Sequence, residues 1–222
     1  MFRRTLQRLQ PPPKLADVGF TTNFDNFRIA PRAATSTVIT QKALQEFSPS
    51  EKVIKFAAEH NITFPSALRL VPGQKFAEFP MRFTCSNRHV FSYFHLKYLA
   101  QFEHPLTEKT LHFYTQQKQS RPLWCYVQGS SVSDGCNAVV RNASERAVRA
   151  ALFRGLNAAG YDSSGRSLHG AGRSLRGTIR IGVSQPKAIL KFEFDQLLGY
   201  VTRLVANAVP RLGGLPPPGP FQ

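Results

Sequence analysis

The sequence predicts an α+β fold: a helical N-terminal half, then a small C-terminal sheet with two helices in the order strand, helix, strand, strand, helix. Three observations carry this. Apolar residues recur at helical spacing over 144–159 and 194–208. Short β-branched or aromatic runs at 123–128 and 178–183 alternate with those stretches. Proline and glycine clusters separate the segments. Helices on one face of a small sheet often leave the other face open to a ligand.

Residues 1–47 form a presequence-like, extended segment with little periodicity, and Pro11-Pro12-Pro13 stops any helix there. A mostly helical region follows over 48–118. Ser48-Pro49-Ser50-Glu51 combines a capping serine, a proline at the first helical position and a glutamate three residues on. That predicts a helix to about His60, ended by Asn61. Met81, Phe83 and Cys85 alternate with polar neighbours, so a strand is expected over 79–85. Val90, Phe91, Phe94, Tyr98, Leu99 and Phe102 then fall near helical spacing, predicting a helix over 87–103 whose aromatic face packs on the core, with a partner-facing stripe that stacks on bases as the alternative. His104-Pro105 closes it. A further helix is expected over 107–117, capped by Thr107.

An α+β domain is expected over 119–209. Its first strand is 123–128, and a turn-rich loop spans 129–135. A helix capped by Ser144 runs to about Ala159, with Val148, Ala151, Leu152 and Leu156 inward and Gly160 past its end. A strand at 178–183 turns at Gln185-Pro186 into a second strand at 188–192. The helix 194–208 is the clearest element, with Phe194, Leu197, Leu198, Val201, Leu204, Val205 and Ala208 on one face and Pro210 at its end. Residues 210–222 are a proline-rich tail.

Between these elements lies a basic loop, 163–177. From Ser163 to Phe192 there are four arginines, two lysines and a histidine, and no carboxylate; the tetrad Gly-Arg-Ser-Leu occurs twice. Like charges so concentrated repel one another unless an anion intervenes, and the planar guanidinium fork fits phosphate. The whole chain agrees: 222 residues carry 29 Lys+Arg against 13 Asp+Glu, a formal charge of +16. A sequence pI near 10.4 is that of nucleic-acid-binding domains. An anionic membrane surface or an acidic protein partner is the other reading of such a charge. The residues expected to contact RNA are Arg141, Arg146, Arg149 and Arg154 on or just before the 144–159 helix, Arg166, His169, Arg173 and Arg176 in the loop, and Arg180 and Lys187 beyond it. They make one contiguous basic edge if helix and strand pack side by side. The bland alternative is a solvated polar face.

No catalytic, cofactor or metal site is expected. Gly170-Ala171-Gly172 lacks the third glycine of a dinucleotide fingerprint, and the phosphate-loop motif is absent. The loop also precedes a strand rather than a helix. Cys85, Cys125 and Cys136 show no Cys-x-x-Cys spacing, which argues against zinc and against a disulfide framework. Cys85 and His89 are close in sequence, but no orienting carboxylate accompanies them. No apolar run approaches the roughly 20 residues of a membrane span.

The first ten residues hold three arginines and no acid, with Phe2, Leu6 and Leu9 close to helical spacing. Arg-rich, acid-poor and amphipathic is the pattern of a mitochondrial transit peptide, which points to the matrix. A basic RNA-binding arm has the same composition. In general character — basic, of modest size, with Pro-rich extended ends and an arginine–glycine loop beside a compact body — the chain resembles mitochondrial ribosomal proteins. That resemblance implies a structural role: binding rRNA and neighbouring ribosomal proteins in a large assembly. Two other expectations stay open, a mitochondrial RNA-processing or nucleic-acid maintenance factor and a peripheral subunit of an inner-membrane respiratory complex.

Overall fold

A computed structural model describes residues 47–101, 104–130, 135–168 and 172–213, all within one compact unit. The presequence-like segment 1–46, His169, the middle of the 129–135 loop and the tail beyond 213 lie outside the described residues.

The chain is α+β, as the sequence predicts, and its centre is a four-stranded sheet. The strands are β2 (Arg69–Leu70), β3 (Met81–Ser86), β5 (Leu123–Gly129) and β6 (Gly177–Val183), in the order β2-β3-β6-β5. β6 pairs antiparallel with β3 and parallel with β5. β1 (Ile62–Thr63) and β4 (His89–Val90) form a separate parallel pair. The helices are α1 (Glu51–Glu59), α2 (Thr107–Ser120), α3 (Ala138–Ala158), the one-turn α4 (Pro186–Ile189) and α5 (Phe194–Ala208). Because β2 and β3 come from the region expected to be mostly helical, the sheet crosses the anticipated boundary at 119.

Alternation along the strands gives the sheet two unlike faces. Met81, Phe83, Cys85, Leu123, Val127, Ile179, Ile181 and Val183 point to one side, where they pack on Val148, Leu152 and Leu156 of α3 and Val201, Leu204 and Val205 of α5. Each fully buried aliphatic side chain there contributes about 1.5–3 kcal/mol of transfer free energy. Trp124 and Tyr126 point to the other side, into an aromatic cluster with Tyr114 of α2, Phe91 and Val53 of α1. Trp124 and Tyr114 stack with centroids 5.4 Å apart, and Phe91 meets Tyr114 edge-on at 4.9 Å. Tyr114 Oη accepts the Ser92 N–H at 2.8 Å and lies 2.8 Å from His95 Nδ1.

Several expected elements differ. The 87–103 helix does not form: His89–Val90 pairs with β1, and a 3₁₀ helix follows at Tyr93–Tyr98. A 3₁₀ turn stacks every third residue, which buries Leu96 and Leu99 together and leaves Phe94 outside at 58 % exposure. The strand expected at 188–192 is instead α4 and its exit. β6 already has a partner on each edge, so no edge remains for a hairpin, and Pro186 pre-sets the first helical φ. Caps shift as well. Ser50, not Ser48, caps α1 by accepting the Val53 N–H at 3.4 Å, because Pro49 bridges to Ala100. Asn61 ends α1 as expected, with φ of 48°. Asn137 caps α3 through Val140 N–H at 2.9 Å, seven residues before Ser144. Ser144 sits buried inside the helix, its hydroxyl donating to Arg141 O at 2.8 Å. Thr107 is the first residue of α2 rather than its cap; its hydroxyl accepts from His104 N–H and donates to Tyr98 O.

Candidate nucleic-acid interface

The described ends of the basic loop, 163–168 and 172–177, are held by hydrogen bonds. Asp162, just outside the acid-free stretch, organises the loop's first turn by accepting Ser164 N–H, Ser164 Oγ–H and Arg166 N–H, each at 2.8 Å. Slight burial would raise the carboxyl, but these hydrogen bonds outweigh it and hold Asp162 below the usual carboxylate range. Main-chain bonds then tie both ends down: Leu123 N–H to Ser164 O at 3.0 Å, Leu175 N–H to Gly165 O at 2.7 Å and Arg176 N–H to Leu212 O at 3.0 Å. Leu175 is fully buried and anchors this end of the loop in the core. Gly177 requires glycine: its φ is +120°, and a Cβ there would stand 2.1 Å from Ser86 O.

With the backbone fixed, the side chains line two adjoining concavities that share Ser174 and Arg176. The first, about 650 Å³, is lined by Arg166, Arg176, Lys118 and His89 among others. The second, about 610 Å³, adds Arg173, Arg211 and Asn87. Among the described residues no carboxylate lines either one. Arg166 donates to Ser120 O at 3.3 Å, Lys118 Nζ to His60 O at 2.5 Å and Arg211 to Leu70 O at 3.0 Å, so carbonyls orient three of the cations without neutralising them. His89 stacks on Trp124 at 4.3 Å. Burial, with the charge of Lys118, pushes its imidazole down to about 4, so it is neutral at pH 7 and adds no repulsion.

The remaining expected residues do not join this group. On α3, Arg149 and Arg154 point about 140° apart at 3.6 residues per turn. Arg154 lies over the Phe194 ring at 4.8 Å, and Arg146 Nε donates to Asn142 O at 3.4 Å on the exposed side. Arg141 packs beside Gly129. Arg149 and Arg180 line a third, smaller cleft. Arg180 donates to Gln128 Oε1 at 3.4 Å and lies 3.9 Å from the Tyr93 ring centroid. Lys187 is exposed on α4, and His169 is outside the described residues. The contiguous basic edge is therefore replaced by a five-cation cluster of Lys118, Arg166, Arg173, Arg176 and Arg211, with the α3 arginines dispersed. Lys118 and Arg211 were missed because they join the loop only through tertiary packing; no local pattern in either segment signals it.

The fold separates Cys85 from His89. Cys85 faces the aliphatic cluster, where burial pushes its thiol up, while His89 faces Trp124. The two do not form a thiolate–imidazole pair. Among the described residues no cluster of three or more His, Cys, Asp or Glu side chains is placed to hold a metal. Nor is any described helix long and apolar enough to cross a membrane. No family model, no curated protein and no solved structure matches the chain.

Proposed function

We propose that the protein is a structural component of the mitochondrial ribosome that binds rRNA phosphates through the five-cation cluster and meets neighbouring proteins through the rest of its surface. The observation that carries this reading is the pair of adjoining concavities lined by Lys118, Arg166, Arg173, Arg176 and Arg211 and, among the described residues, by no carboxylate. Unscreened like charges at this density favour a polyanion, and a string of phosphates meets several of them at once. The flanking amides and hydroxyls supply neutral donors of the kind that position a nucleic-acid backbone. The arginine-rich, acid-poor start of the sequence supports a mitochondrial location.

Sucrose-gradient sedimentation of the native protein from isolated mitochondria, with and without RNase and EDTA, tests the assignment. Comigration with one ribosomal subunit, lost on RNase treatment, is the expected result. A small particle would favour a processing factor that binds RNA transiently. A large, nuclease-insensitive particle in detergent would favour a respiratory-complex subunit.

A further inference from the structure

β5 is the last strand of the sheet, and its outer edge is closed at both ends but open between them. Leu123 N–H is bound by Ser164 O at 3.0 Å and Gly129 N–H by Glu145 Oε1 at 2.8 Å, so both amides point away from β6. Strand alternation places the amides and carbonyls of Cys125 and Val127 on that same outward edge. No described residue bonds to either amide outside the sheet ladder. This open stretch lies in the third cleft, of about 290 Å³. One wall is α3, which presents Glu145 and Arg149; the other is the 3₁₀ helix, which presents Tyr93 and the exposed Phe94. Arg180 reaches in from β6, flat against Tyr93. The ion pairs among the described residues join Lys52 to Glu108, Lys55 to Glu51 and Lys75 to Glu78, so neither Arg149 nor Arg180 has a carboxylate partner.

An edge that alternates N–H with C=O is complementary to another extended peptide, whereas a phosphate only accepts. The two arginines set the charge of that peptide. We propose that the cleft binds an extended acidic segment of a neighbouring protein, which adds to β5 as a fifth strand of the sheet. Successive residues of an added strand face opposite ways. One side chain therefore meets Arg180 and the next meets Arg149, so two consecutive carboxylates fit, with an apolar residue two positions after the first on the Phe94 side. Glu145, held by Gly129 N–H, fixes the end at which the segment must be uncharged. This site is independent of the phosphate-binding cluster.

The test uses the full chain and a blocked heptapeptide with glutamate at its third and fourth positions, valine at its fifth and threonine elsewhere. Saturable binding is expected, with slowed hydrogen exchange at the Cys125 and Val127 amides. Arg149→Gln and Arg180→Gln should each weaken binding at least about tenfold. Phe94→Ala, at an exposed position that leaves both cores intact, should weaken it in the same direction. A peptide N-methylated on the two amides facing the edge, or one with lysine for glutamate, should not bind. Equal binding of either control overturns the proposal. So does slow exchange at those two amides in the free chain, which would mean that the chain already covers its own edge. Displacement of the peptide by a single-stranded oligonucleotide, with neither amide protected, would assign the cleft to nucleic acid instead.

Discussion

The two faces of the central sheet are built from different materials. On the α3–α5 side, mostly aliphatic side chains come from long helices and full-length strands, with Phe83 and a stacked Phe79–Tyr200 pair among them. On the Trp124 side, aromatic rings are gathered from two-residue strands, a 3₁₀ helix and the inner faces of α1 and α2. An aliphatic layer needs only volume and periodicity. An aromatic layer also needs ring geometry and a partner for each polar tip, which regular elements rarely supply together. The five-cation cluster lies at the aromatic side's boundary, where His89 touches both Trp124 and the first concavity.

Truncation on each face should separate their energetics. Trp124→Ala is expected to cost about 3–5 kcal/mol and Leu152→Ala about 2–5 kcal/mol. Denaturant titration with a common slope checks both. A Trp124 loss well below that of Leu152 would mean that the aromatic layer only covers the sheet.

A pair of tyrosine hydroxyls sharpens the contrast. Tyr114 Oη serves Ser92 N–H and His95 at once, while among the described residues Tyr200 Oη accepts only the Lys75 N–H, at 3.0 Å, on the aliphatic side. Tyr114→Phe should cost about 1–3 kcal/mol through the unsatisfied groups it leaves. Tyr200→Phe should cost less, about 0.5–1.5 kcal/mol, because its partner Lys75 is at an exposed position. Equal losses would erase the distinction.

A separate effect concerns pH. His89 titrates near 4 in the fold and near 6.5 unfolded. Between those values the unfolded state binds the extra proton, so stability should fall as pH drops from about 6.5 toward about 4 and then level off. His89→Gln should flatten that part of the thermal-melting profile. Asp162 acts at lower pH: with its folded value depressed, its contribution is present above the usual carboxylate range and fades as pH falls through the folded value.

The same contrast explains what was legible in the sequence. α5 appears as predicted, Phe194–Ala208, because a seven-residue apolar stripe admits one period. β6 was legible for the same reason, since Ile179, Ile181 and Val183 alternate with Thr178, Arg180 and Gly182. The aromatic run from Val90 to Phe102 matched a helix on spacing alone. Phe91 buries edge-on against Tyr114, which stacks on Trp124, while Phe94 stays exposed; contacts made across the chain in this way leave no periodic trace. The strand expected at 188–192 failed because pairing capacity belongs to the whole sheet. At the candidate site the loop arginines were visible from composition, but their grouping with Lys118 and Arg211 depends on how α2 and the segment after α5 pack around the loop.

The central claim is that the five-cation cluster binds RNA phosphate, and its salt dependence is the most direct test. RNA affinity of the wild-type chain and of the Arg166→Ala, Arg173→Ala, Arg176→Ala triple variant would be measured across a series of salt concentrations. All three side chains are exposed, so the variant should fold normally. The slope of log affinity against log salt should become shallower by about 2–3 in the variant, since each lost phosphate contact removes about 0.7–0.9. Parallel slopes for a folded variant would contradict the account.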